Sequence, residues 1–430
     1  MSKVSAISLG CPKNLVDTEI MLGTLRDKGY EFTFNPDEAA VLIINTCAFL
    51  EKAREESISI IAENIGKYEK LIVAGCLVQL HGEKLLDEFP EIDHLIGVGK
   101  IEEIYQAIVD EKQVCLGERL HQRAYSRIIS TLPHTAYVKI ADGCNNCCSY
   151  CLIPTLRGKY QSRDMEGIIE EVDELVNAVG SREINLIAQD ITLYGMDTHG
   201  RLSLPELLKR LTTISNNLWI RLMYTHPAHV TDELIEIMAK SPNICHYLDL
   251  PVQHISDPIL QAMNRKCSSG QIKGLISRLR QAMPDIALRT SLIVGFPGEG
   301  EDEFEALLDF VRETRFEHLG VFPYSKESGT PAFNFSNHVD EKVKEERHHR
   351  IMELQKKVSF KKKKEKIGKI LDVIIEGYLE QGMIGRSQYE APEIDGVIYL
   401  EGNGIKIGEI VPVEIIAATE YDLVGRVHCS

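Results

Sequence analysis

No stretch of this sequence stays apolar for anything near the ~18 residues of a membrane-crossing helix. Residues 1–11 also lack the charged, then apolar, then small-residue order of a secretory leader. Both absences make the cytoplasm the expected compartment. Positive charge is in deficit: 48 Lys and Arg face 64 Asp and Glu, a formal net charge of −16. Such a surface repels nucleic-acid phosphates unless a local basic patch overrides it, so a basic protein is the easier partner. In a reducing compartment disulfides are not expected, and the 11 cysteines are read as buried, catalytic or metal-binding thiols. What remains is ordinary. With 44% hydrophobic and 26% charged residues the chain is neither disordered nor membrane-embedded, and 430 residues exceed a single core, so two or three domains are expected.

Apolar strands alternate with amphipathic helices from the start: Val4 to Leu9, a helix from Asn14 to Lys28, Val41 to Ile44, a helix from Lys52 to Ile65, Leu71 to Ala74, and a helix from Glu83 to Phe89. This order predicts a parallel α/β domain over residues 1–118. After a polar stretch from Gly117 to Pro133, a second alternation over residues 130–366 has strands at Ala136–Ile140, Ile184–Ala188, Trp219–Met223, His246–Leu250, Leu288–Val294 and Leu319–Phe322. Six βα units predict a partial TIM-type barrel with its site at the carboxyl ends of the strands. The barrel segment closes on a charged helix, Glu341 to Lys366, with 11 Lys and Arg against 5 Asp and Glu. Residues 367–430 hold five short strands broken by glycines, which suits a small OB-like β-barrel. The expected fold class is therefore multidomain α/β.

Two cysteine triads carry the chemistry. Cys144, Cys148 and Cys151 lie in DGCNNCCSYCLIP, directly after the first barrel strand. Three thiolates can hold a four-iron cubane while leaving one iron open. An open iron can chelate the amino and carboxylate groups of S-adenosylmethionine and deliver the electron that makes a 5′-deoxyadenosyl radical. A zinc site completed by Cys147 is the bland alternative, and Cys147 is otherwise a spectator. Cys11, Cys47 and Cys76 lie far apart in LGCPKN, NTCAF and AGCLVQ, but each follows a strand of the first sheet. Ligands in open parallel sheets bind beyond the carboxyl ends of strands, so the three converge on one edge; each taken alone would be a core cysteine. For S-adenosylmethionine the strand ends offer Gln189, Asp190, Arg289, Gly295 and Phe296, with a structural ion pair as the alternative for Arg289. Gln253 and His254 also follow a strand, although a lone histidine is more often simply hydrogen-bonded.

Together, LGCPKN, NTCAF, AGCLVQ, the CxxxCxxC loop with Tyr150 before its last cysteine, RGKYQSRD, LPVQHIS and IVGFPGE resemble the methylthiotransferase family of radical-SAM enzymes along essentially the whole chain. The resemblance implies a cluster domain, a radical-SAM core and a TRAM domain. It implies two 4Fe-4S clusters, one on Cys11, Cys47 and Cys76 and a SAM-binding one on Cys144, Cys148 and Cys151, with no catalytic side chain assigned beyond these ligands. One S-adenosylmethionine would donate the methyl group and a second the radical, with a flavodoxin or ferredoxin as electron donor. CPKN and CAF resemble the branch that modifies the β-carbon of an aspartate in small-subunit ribosomal protein twelve, free or within the subunit. The alternative branch modifies tRNA adenosines, and a non-catalytic iron–sulfur carrier or scaffold is the alternative from another class. The tail opposes tRNA: residues 367–430 hold 4 Lys and Arg against 11 Asp and Glu, with Glu390, Glu393 and Asp395 expected as exposed charges that attract a basic protein.

Overall fold

Residues 3–110, 113–117, 126–402 and 404–428 are described by the computed structural model; the domain boundary expected at residue 118 lies outside them. The first sheet contains β1 (Lys3–Ser8), β2 (Glu31–Phe32), β3 (Val41–Thr46), β4 (Lys70–Gly75), β5 (His94–Ile96) and β6 (Gln113–Cys115), all parallel in the order β2-β1-β3-β4-β5-β6. β3 is buried along its whole length, as a central parallel strand covered on both faces must be, and its VLII run follows from that. The sequence expectation placed three of these six strands. The others have two or three residues, too few for a periodic signal. The expected helices form at Pro12–Asp27, Glu51–Asn64 and Lys84–Glu88.

The second sheet opens with β7 (Thr135–Lys139). A short antiparallel pair, β8 (Ala141–Asp142) and β9 (Gln161–Ser162), then frames the Cys144–Cys151 loop. There follow β10 (Glu183–Ile187), β11 (Trp219–Leu222), β12 (Ile244–Asp249), β13 (Ala287–Val294) and β14 (His318–Pro323), in the order β14-β13-β12-β11-β10-β7. All six expected strands form in a parallel sheet. Alternate residues separate cleanly: Ala136, Val138, Ile184, Leu186 and Ile220 pack outward against the helices, while Tyr137, Lys139, Glu183, Arg221, Tyr247 and Arg289 line the inner wall. The charged helix Glu341–Lys364 packs along β14. No helix among the described residues is long and apolar enough to cross a membrane.

The tail forms a closed barrel of β15 (Ile370–Leu379), β16 (Gly382–Ser387), β17 (Ile398–Glu401), β18 (Ile410–Ala418) and β19 (Leu423–Val427). It docks where the larger barrel's strands begin. Arg386 donates to Glu183 at 2.6 Å, and Glu183 also pairs with Arg221. Asp395 accepts from Tyr247 Oη at 2.8 Å and faces Arg289 and His318. Glu390 is buried against Lys363 and Ser387. The expectation that Glu390 and Asp395 are exposed is therefore corrected: both are anchors of this interface, and only Glu393 of the three is exposed.

Candidate active site

The first triad gathers at the carboxyl edge of the first sheet. Cys11 ends the β1 loop and caps the helix Pro12–Asp27, Cys47 follows β3, and Cys76 begins the helix Cys76–His81 after β4. Glycine makes the approach possible. Gly10 has φ +87°, and a Cβ on it would stand 2.7 Å from Cys47 Cβ, so no larger residue lets these loops touch. Asn14 stitches the three loops: its Nδ2 donates to Leu9 O at 3.0 Å and Thr46 O at 2.9 Å, and its Oδ1 faces the Cys76 thiol at 3.9 Å. Burial pushes the Cys11 thiol up, but Lys13, Arg157 and nearby amides outweigh it and leave its pKa below the ordinary value. Burial pushes Cys76 up to about 11 despite Arg157, and raises Cys47.

The second triad rides on the β8–β9 loop. Asn146 N and Ile153 N donate to Cys144 Sγ and Cys151 Sγ at 3.4 Å each, and Arg265 Nη1 approaches Cys148 Sγ at 3.6 Å. Burial raises Cys144 to about 11 and Cys151 to about 12. Thiols that are costly to ionise in the protein alone, yet ringed by donors aimed at sulfur, are the environment that metal-bound thiolates require. This environment fits a cluster held by three protein ligands, and the first triad fits one as well, with Lys13 and Arg157 supplying positive charge beside Cys11. Cys147 is exposed, has φ +50°, and is held through its carbonyl by Asn264 Nδ2 at 2.8 Å.

A buried polar bridge joins the two sites, and sequence reasoning missed it. Arg157, between the triad loop and β9, donates to Asn14 Oδ1 at 2.5 Å, Asp17 Oδ2 at 3.2 Å and Asp142 Oδ2 at 3.0 Å. Lys139 pairs with Asp17 and Asp142. Asp142 immediately precedes the second triad's loop, and Asn14 stitches the first. The only hint in the sequence was the RGKYQSRD motif itself.

Of the residues predicted to meet S-adenosylmethionine, Gln189 and Asp190 lie beside the second triad. Gln189 Nε2 donates to Asp142 Oδ1 at 2.9 Å, and its buried Oε1 has no partner among the described residues. Asp190 accepts from Asn146 Nδ2 and from His229, each at 2.9 Å, and so anchors the cysteine loop. The other three are occupied by the chain itself. Arg289 pairs with Asp249 and Asp395, which realises its ion-pair alternative. A Cβ on Gly295 would meet Lys344 Cγ at 2.2 Å, so this glycine lets the helix Glu341–Lys364 pack close. Phe296 is fully buried among Tyr150, Tyr324 and Phe335. Gln253 bridges to β13 through Ser291 and Ile293, and His254 is buried with Nδ1 accepting from Ser256 N.

Three family profiles match the chain: "Uncharacterized protein family UPF0004" over residues 3–97, "Radical SAM superfamily" over 138–311 and "TRAM domain" over 367–427. The ribosomal protein uS12 methylthiotransferase RimO of Geobacter sulfurreducens is 47% identical, covering 99% of this chain and 98% of that protein. Its namesake in Desulforamulus reducens is 46% identical over 99% of both. Among solved structures, the radical S-adenosylmethionine methyltransferase TsrM of Kitasatospora setae, with cobalamin and a 4Fe-4S cluster bound, aligns with a TM-score of 0.57 at 14% identity over 77% of each chain, a likeness of fold.

Proposed function

This chain belongs to the family of ribosomal protein uS12 methylthiotransferases, and from that premise we propose that it places a methylthio group on the β-carbon of an aspartate in uS12, small-subunit ribosomal protein twelve. It is a radical-SAM transferase that uses two 4Fe-4S clusters and S-adenosylmethionine. Cys11, Cys47 and Cys76 are assigned to one cluster, and Cys144, Cys148 and Cys151 to the one that binds S-adenosylmethionine. When bound, these groups supply the carried sulfur and the electron that opens the C–S bond. Radical chemistry suits a β-carbon that offers a base no acidic proton.

The protein's own residues position and exclude. Asn14 and Arg157 fix one cysteine loop against the other, Asp190 pins Asn146 inside the second loop, and Gln189 Oε1 is the retained candidate for contact with S-adenosylmethionine. The proposed division is a cluster domain over residues 1–118, a radical-SAM core over 130–366 and a TRAM domain over 367–430. The reductant is assigned to a flavodoxin or ferredoxin and the compartment to the cytoplasm, where uS12 would be met free or in the subunit.

The observation that carries this reading is the meeting of two three-thiol sites across the Arg157 bridge. Mass spectrometry of uS12 and bulk tRNA from cells with and without the chain tests it. The methylthio mark on uS12 should depend on the chain while tRNA stays unchanged. A chain-dependent mark on tRNA, with uS12 unmodified, would overturn it.

A further inference from the structure

Lys13 is a buried cation that the bridge between the triads does not use. It is 7% exposed, and among the described residues no carboxylate or other acceptor lies within bonding distance of its ammonium. The largest favourable charge acting on it is the Cys11 thiolate, ahead of Asp142 and Asp249, and none of the three bonds to its ammonium. Asp142 is taken by Arg157 and Lys139, and Asp249 by Arg289 and the Tyr224 amide. The ammonium instead stands 3.3 Å above the ring of Tyr224. A cation–π contact recovers only part of what a desolvated charge loses.

Its place narrows what completes it. Lys13 comes two residues after Cys11, so its backbone belongs to the first triad's loop. Tyr224 comes just past the carboxyl end of β11, at the mouth where barrels of this class bind ligands. Tyr224 has φ +61°, a left-handed conformation unfavourable for an aromatic residue and typical of sites where the backbone serves a ligand. The ammonium therefore reaches from one cysteine triad into the mouth of the barrel that carries the other.

We propose that Lys13 binds the side-chain carboxylate of the substrate aspartate and so selects a carboxylate-bearing peptide over a neutral nucleobase. This rests on the reading of uS12 as substrate. An aspartate is the one acceptor whose reacting β-carbon is bonded directly to an anionic group, so a carboxylate held at Lys13 leaves that carbon between the two triads. The binding partner is specified by chemistry: a single carboxylate, accepting a charge-assisted hydrogen bond from an ammonium that no carboxylate among the described residues bonds.

The test is a cycle of variants on the full-length holoenzyme, read by equilibrium binding of a uS12 peptide and by KM and kcat. The enzymes are wild type, Lys13→Met and Lys13→Arg; the peptides carry the target aspartate or Asn in its place. Wild type should bind the Asp peptide about ten- to a hundredfold more tightly than the Asn peptide. Lys13→Met should bind both equally, at the wild-type level for Asn, whereas Lys13→Arg should stay within about threefold of wild type on the Asp peptide. Both variants should keep the iron of both clusters and stay near the wild-type melting temperature. Unchanged discrimination in Lys13→Met would overturn the proposal, and so would loss of the first cluster's iron, which would assign Lys13 to holding that cluster. Failure of wild type to bind or modify uS12 at all would instead overturn the substrate reading beneath it.

Discussion

Arg157 is the residue on which the two halves of the site depend, because its guanidinium faces Asn14, Asp17 and Asp142 with its side chain 2% exposed. Arg157→Gln leaves two buried carboxylates with one cation fewer, a change that costs about 3–5 kcal/mol when a buried pair is broken. Hydrogen exchange should then rise together in the helix Pro12–Asp27 and in the 143–152 loop; exchange rising in only one would show that the bridge does not couple them. Cys147→Ser should keep full iron, since Cys147 is exposed and its loop is held by its carbonyl, while Cys148→Ser should lose the second cluster. Equal iron loss in both would contradict the ligand assignment. The cysteines themselves were legible because spacing and position after strands are local signals. Arg157 was not, because Asn14 and Asp17 lie 143 and 140 residues away and no periodicity reports such a pair. The surroundings of Arg289, Gly295 and Phe296 were illegible for the same reason: each sits at or near a strand end, and the neighbours packed against it, Asp395, Lys344 and Tyr324, come from distant segments.

The hairpin of β8 and β9 is the element that aims the second triad, and Gly143 is its tightest point. With φ +77°, a Cβ there would lie 2.1 Å from Lys159 O. Gly143→Ala should therefore displace the loop and lose the second cluster's iron while the first is kept. Gly158, with φ +76° but open space around its Cβ, is the control: Gly158→Ala carries only the left-handed penalty of about 1–2 kcal/mol and should keep both clusters. Iron analysis and EPR of the two variants check this, and equal behaviour would contradict it. The hairpin was illegible in sequence because its strands have two residues each, whereas strands of four or more residues, such as β13 with its ALRTSLIV run, declared themselves by apolar content and spacing.

Across the whole molecule, the C-terminal barrel is tied to the larger one by buried ion pairs, and this sets a pH dependence. Burial pushes Glu183 up, but Arg386 and Arg221 overcome it and draw its pKa down to about 2; Glu390 is drawn down to about 2 in the same way by Lys363. A depressed carboxylate adds stability above its unfolded pKa of ~4.3 and loses it as pH falls toward the folded value. Each group accounts for something on the order of 3 kcal/mol by this linkage. Limited proteolysis at the junction near residue 367 should be flat from pH 7 to 5 and rise below; release on raising the pH would contradict the assignment. With Glu390 and Asp395 spent on docking, the expectation that this barrel attracts a basic partner rests on exposed acids such as Asp372, Glu380 and Glu414. Reversing these three to Lys should weaken uS12 binding and flatten its salt dependence, without touching the interface. Two separate three-thiol sites that cooperate on one substrate should fail differently when each is removed, which two triple variants compared for iron, 5′-deoxyadenosine formation and uS12 mass would show. Removing Cys11, Cys47 and Cys76 should spare S-adenosylmethionine cleavage and the second cluster's iron while abolishing the mark on uS12. Removing Cys144, Cys148 and Cys151 should abolish cleavage and keep the first cluster's iron. If loss of the first triad erased all iron, or left uS12 fully methylthiolated, the account would be contradicted.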